Sequence, residues 1–186
     1  APHDKKNAEV SKDKDLRKRA LRFVAETVRH AAPRRAIVAW QVENEPMDRS
    51  GEKRWFIGAD FLQEEAAAIR ANDPSRRPVV VNIWCDNQLI ASAPWTDPKY
   101  AVRNALRIGD VLGLDVYPRV QGEEFRYKTR ALKLPAQYHA MARKAGKAAW
   151  IIESQAEPWA PSKYDKDAML WLVDRHMEQG YKVIFL

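Results

Sequence analysis

The chain has 186 residues, 46% hydrophobic and 31% charged, with a net charge of +7. That balance belongs to a folded domain with room for one sizeable core, and it excludes a disordered chain. No apolar run approaches the ~20 residues that a membrane helix needs, and one cysteine, Cys85, leaves no internal disulfide.

The opening residues, "APHDKKNAEVSKDKD", are polar and show no signal peptide, which leaves the compartment open. From Asp15 to Ala32, apolar residues recur every three or four positions, which predicts an amphipathic helix ended by Pro33. Ile37 to Val42 is a short apolar run that reads as a buried strand. Phe56 to Ala71 reads as a helix, stopped near "NDPSRRP". "VVVNIW", Val79 to Trp84, is rich in β-branched residues and predicts a second strand.

A turn-rich segment, "SAPWTDPK", leads to a short helix around Tyr100 to Leu106. Asp110 to Tyr117 reads as a third strand, Arg126 to Lys144 as a helix closed by Gly146, and Ala148 to Glu153 as a fourth strand. Asp165 to Gln179 predicts a last helix with its stop at Gly180. "YKVIFL" predicts a fifth strand.

Strict alternation of helices with buried strands predicts an α/β fold with a parallel sheet. An open doubly wound sheet and a (β/α) barrel both fit. No glycine-rich phosphate loop follows any strand, which argues against a nucleotide-binding open sheet.

The basic residues are dispersed, and no arginine stripe is interleaved with aromatics, so nucleic acid is not an expected partner. His3, His30, His139 and His176 are scattered surface or core-edge residues by expectation, no zinc spacing is present, and no metal is expected.

In parallel α/β folds the chemistry sits at the C-terminal ends of strands. Here those ends read "VENEP", "IWCDN", "DVYPR" and "IIESQAEPW". A lone glutamate there often caps a helix or faces water. Two of them on one rim, with Asn, Tyr and several Trp, suit glycoside hydrolysis, which needs one protonated and one ionised carboxyl. Burial and neighbouring charge set the two pKa values apart. Trp55, Trp84, Trp95 and Trp159 fall in or beside rim loops, where aromatic faces can stack on sugar rings. Trp40, Trp150 and Trp171 read as core.

"WQVENEP" resembles the fourth-strand signature of the clan A glycoside hydrolases, the cellulase and β-galactosidase superfamily of (β/α)8 barrels. The resemblance implies that Glu45 is the general acid/base and that Asn44 bonds the sugar 2-hydroxyl. "WIIESQAEPW" resembles the seventh-strand end, which implies that Glu153 is the nucleophile. "DVLGLDVYP" resembles the sixth strand, which implies that Tyr117 positions it. Trp84 and Trp159 are further expected sugar contacts.

Strand alternation puts Glu43 on the same side as Glu45, so it competes for the acid/base role, and Glu157 competes with Glu153. Mapped on this pattern, residues 1–186 form one incomplete TIM-barrel domain, from the third helix to the eighth strand, lacking the first three strands.

The expected reaction is retaining hydrolysis of a β-linked glycan or glycoside, with a carbohydrate partner and no cofactor. The rival readings are a non-catalytic carbohydrate-binding barrel, an inactive half-barrel that needs a partner, or a basic nucleic-acid-binding α/β domain.

Overall fold

A computed structural model describes residues 8–49, 56–85, 98–117, 128–154 and 166–185. The elements alternate in chain order: α1 (Lys14–Ala31), β1 (Trp40–Gln41), α2 (Ala59–Asn72), β2 (Val79–Trp84), α3 (Pro98–Ile108), β3 (Val111–Val116), α4 (Lys128–Lys144), β4 (Ala148–Ser154) and α5 (Lys166–Glu178). All neighbouring strands are parallel, in the order β1-β2-β3-β4. The sheet curls into a half-barrel with helices outside, part of a TIM barrel.

The two faces of the sheet follow from the two-residue period of a strand. On β2 and β3, Val79, Val81, Ile83, Leu112, Leu114 and Val116 are buried with Leu62, Ala66, Val102 and Ala142 in the helix-facing core. The alternate residues Val80, Asn82 and Trp84, with Gly113 and Asp115 beside them in register, face the inside of the half-barrel. Val80, Trp150, Ile152, Glu153 and Phe185 line an inner cavity of about 520 Å³.

Gly113 matters here, because a Cβ on it would stand 2.7 Å from Ile152 Cγ1 and 2.9 Å from Asn82 Cβ. The register between β3 and β4 shifts after Leu114: Leu114 stands opposite Ile151, but Asp115 stands opposite Glu153. Ile152 is the extra residue, as in a β-bulge, which re-aims the side chain that follows it. Glu153 thereby joins Ile152 on the cavity side.

Several expected boundaries move. Only Trp40 and Gln41 of the run Ile37–Val42 form a strand, and Val38 is 67% exposed. The pairing explains this. Trp40 N–H donates to Pro78 O and Val42 N–H to Val80 O, so residues 37–39 precede the start of β2 and lack its ladder. Helix α2 begins at Ala59 rather than Phe56, because Gly58 adopts φ 80, outside helical space. The fifth strand is reduced to one bridge, Ile151 with Ile184, although Ile151 N–H donates to Val183 O and Phe185 N–H donates to Ile151 O, each at 3.0 Å.

His176 is fully buried instead of lying at a core edge, and burial pushes its pKa down to about 4. Trp150 faces the inner cavity rather than the helix-side core.

At the end of the half-barrel away from the strand tips, Asp73 ties three elements together. Its carboxylate accepts from Trp40 Nε1 at 3.0 Å, from the Arg77 backbone N–H at 2.9 Å and from Arg77 Nη1 at 2.7 Å. Arg77 also donates to Ala32 O and Ile37 O, each at 2.8 Å.

Candidate active site

The sheet brings four polar residues to one inner rim. Asn82 of β2 and Asp115 of β3 are fully buried, and Glu153 ends β4 beside Asp115. Glu45 arrives from the segment after β1. That segment does not continue as a strand, since Glu43 and Glu45 take φ values of 57° and 45°. Non-glycine residues in that left-handed region are strained and need support.

Asn82 supplies the support. Its Oδ1 accepts the Glu45 backbone N–H at 3.0 Å, and its Nδ2 donates to Asn44 Oδ1 at 2.9 Å and Asp115 Oδ2 at 2.6 Å. Gln41 Nε2 also reaches Asn44 Oδ1, at 3.3 Å.

The left-handed turn separates the two glutamates that strand alternation would place together. The Glu43 carboxyl meets Glu65 of α2, on the helix side, while Glu45 meets Asp115 and Glu153 on the inner side. Glu43 therefore stands apart from the rim carboxyls. Glu65 is buried, and burial with the Glu43 charge and hydrogen bond raises its pKa to about 8.

Electrostatics differ among the rim groups. Burial, then the charges of Asp48 and Glu153, raise Glu45 to about 7, against a hydrogen bond from Asp115 that lowers it. Burial, then Glu153 and Glu45, raise Asp115 to about 8. Tyr117 donates its hydroxyl to Glu153 Oε2, and burial together with that bond pushes the phenol pKa up, so it stays a donor. The arrangement therefore holds a carboxyl that keeps its proton near neutrality beside one that accepts a phenolic hydrogen bond.

Of the residues expected from the sequence, Glu45, Asn44, Tyr117 and Glu153 meet at this rim. Trp84 pairs in register with Asp115, and its buried Nε1 has no partner among the described residues. Trp55, Trp95, Glu157 and Trp159 lie outside the described residues.

Asn82 escapes a reading of strand ends because it sits inside an apolar strand, and Asp115, though it opens "DVYPR", because the resemblance singles out Tyr117. The available signal was a polar residue at an inner-face position of a buried strand. Among the described residues no group of three His, Cys, Asp or Glu could hold a metal ion, and no helix is long and apolar enough to cross a membrane.

The architecture matches solved (β/α)8 glycosidase structures. β-Glucuronidase from Ruminococcus gnavus in complex with D-glucaro 1,5-lactone superimposes with a TM-score of 0.61 at 14% identity, over 91% of this chain and 28% of that one. Another structure of that β-glucuronidase gives a TM-score of 0.56 at 14% identity with the same coverage. Its complex with D-glucaro-d-lactam gives 0.58 at 15% identity. The chain thus spans about 28% of the length of these structures. No protein-family model and no curated protein matches the sequence. The fold is that of part of a glycosidase barrel.

Proposed function

We propose that residues 1–186 form one catalytic domain of a retaining β-glycoside hydrolase of clan A, cellulase-like in its site and acting on a carbohydrate. Glu153 attacks the anomeric carbon while Glu45 gives its proton to the leaving oxygen. Glu45 then takes a proton from water, which hydrolyses the glycosyl–Glu153 ester. Asn44 bonds the 2-hydroxyl, Tyr117 holds Glu153, and Trp84 and Trp159 offer faces to sugar rings.

The observation that carries this reading is the asymmetry of the rim. Glu45 is raised to about 7 and Glu153 accepts from Tyr117, so one carboxyl is suited to donate a proton and the other to attack. The likeness to β-glucuronidase structures supports it through the fold.

A 2-fluoro glycoside with a good leaving group, followed by peptide mass spectrometry, tests it. The expected result is an adduct on Glu153. Activity that survives both Glu45→Gln and Glu153→Gln overturns it.

A second reading has its own support. The inner cavity of about 520 Å³ is lined by apolar Val80, Trp150, Ile152 and Phe185, a surface that further strands could cover. On that reading this half-barrel acts only with a partner, and the adduct forms only after the partner is added.

A further inference from the structure

Asp115 has a place in this site that the two-glutamate scheme leaves unused. It is fully buried on β3, and its Oδ2 accepts from Asn82 Nδ2 at 2.6 Å. Its Oδ1 is buried with no donor among the described residues. Asn82 holds the Glu45 backbone N–H at 3.0 Å and Asp115 Oδ2 at 2.6 Å, which brings the Glu45 carboxyl beside Asp115 as a hydrogen-bonding neighbour. Two ionised carboxylates only accept, so this contact becomes a hydrogen bond when one of them carries a proton. A buried acceptor left without that proton would cost free energy.

We propose that Asp115 is a positioning residue that keeps its own proton and donates it as a hydrogen bond to Glu45, orienting that carboxyl and stabilising its ionised form. The inference rests on the reading of Glu45 as the acid/base. In the first half-reaction Glu45 loses its proton to the leaving oxygen, and the Asp115 O–H then points at the new carboxylate. In the second half Glu45 regains a proton from water. Asp115 ends each half as it began, so no proton is gained or lost by the pair over the cycle.

The surroundings favour a proton on Asp115. Glu45 faces it from the segment after β1, Glu153 from β4, and the charge of Asp48 bears on Glu45. Asn82 of β2, a neutral donor to Asp115, opposes that proton only in part, and Tyr117, just after β3, is a neutral donor to Glu153. Asp115 is the most buried of the carboxyls in this group. Asn82 fixes the geometry by holding Asp115 Oδ2 with one end and the Glu45 backbone with the other.

The test is a pH titration of the whole chain by carboxyl ¹³C NMR, with Asp and Glu labelled. At pH 6 the Asp115 carbon should report a protonated acid, and it should titrate jointly with Glu45 above neutrality. Asp115→Leu removes the donor and should raise the Glu45 midpoint by about one pH unit, whereas Asp115→Asn, which still donates, should restore it.

An Asp115 carbon that is ionised at pH 6 overturns the proposal, as does a Glu45 midpoint that is the same in all three proteins. If the leucine variant does not fold, the wild-type spectrum alone decides the first point. A chain with no glycosidase activity whose Asp115 and Glu45 still titrate together overturns the proposed function and leaves this hydrogen bond standing. An active chain with ionised Asp115 does the reverse.

Discussion

Tyr117, at the end of β3, donates its hydroxyl to Oε2 of Glu153, at the end of β4. The register shift after Leu114 makes this possible, because it turns Glu153 to the inner face beside Asp115. A hydrogen bond to a charged group contributes about 1.5–3 kcal/mol. In the proposed reaction, Tyr117→Phe therefore lowers kcat/KM about 10- to 100-fold, since each 1.36 kcal/mol is a factor of ten. Circular dichroism of the variant should stay unchanged. A variant with full activity means that Glu153 needs no such partner.

The raised pKa of Glu45 sets the alkaline limb of the proposed activity. A general acid works only while protonated, so kcat/KM on an unactivated glycoside should fall above about pH 7. Glu45→Gln should remove that limb and lower the rate about 10²- to 10⁴-fold. On an aryl glycoside with a very acidic leaving group the first step needs little help, and the same variant should lose much less. Equal losses on both substrates would remove Glu45 from the acid role.

Stability should fall as pH rises from 6.5 to 8. Glu45, Glu65 and Asp115 have folded-state pKa values of about 7, 8 and 8, well above their ordinary values of 4.5, 4.5 and 3.8. Through this window the folded chain holds protons that the unfolded chain has released, so raising the pH favours unfolding. His176 acts in the opposite sense, but only between about 4 and 6.5, where its folded form resists the proton that the unfolded form takes up. The unfolding midpoint measured at pH 6.5, 7, 7.5 and 8 should decrease at each step. Glu65→Gln should flatten part of the slope. A midpoint that rises across this range contradicts the carboxyl burial described above.

The central sheet was legible because β2 and β3 are apolar on both faces except at special positions. The run Val79–Trp84 matches β2 residue for residue, and β3 differs from its reading by one residue at each end. The rim glutamates were legible only as a pair, because one glutamate at a strand end often caps a helix or faces water, whereas two on one rim point to a shared site.

What stayed hidden depends on the third dimension. The short β1 is set by where Val79 begins, which the run Ile37–Val42 cannot reveal by itself. The opposite destinations of Glu43 and Glu45 arise from two left-handed residues, in a stretch where alternation predicted one side. The extra residue Ile152 leaves no mark in "AAWIIES", yet it decides which way Glu153 points. Asp115, one residue before the end of β3, was passed over because in "DVYPR" the resemblance singles out the tyrosine.

Gly113 offers a test of how tightly the inner face is built. Its hydrogen occupies the only room between Ile152 Cγ1 and the Asn82 side chain, with the notional Cβ at 2.7 and 2.9 Å from them. Such distances require something to move, and overpacking of this kind costs about 1–3 kcal/mol. Gly113→Ala should therefore lower the free energy of unfolding by that amount in urea. Asn82 is one of the two groups pressed, and it holds the Glu45 backbone, so the proposed activity should fall further than the loss of stability explains. Ile152→Ala alone should cost stability through the cavity it leaves. Combined with Gly113→Ala it vacates the space the new methyl needs, and the double variant should be more stable than the sum of the single losses by about 1 kcal/mol. Strict additivity would mean that the backbone of β3 shifts away instead, and that Asn82 is not squeezed between its neighbours.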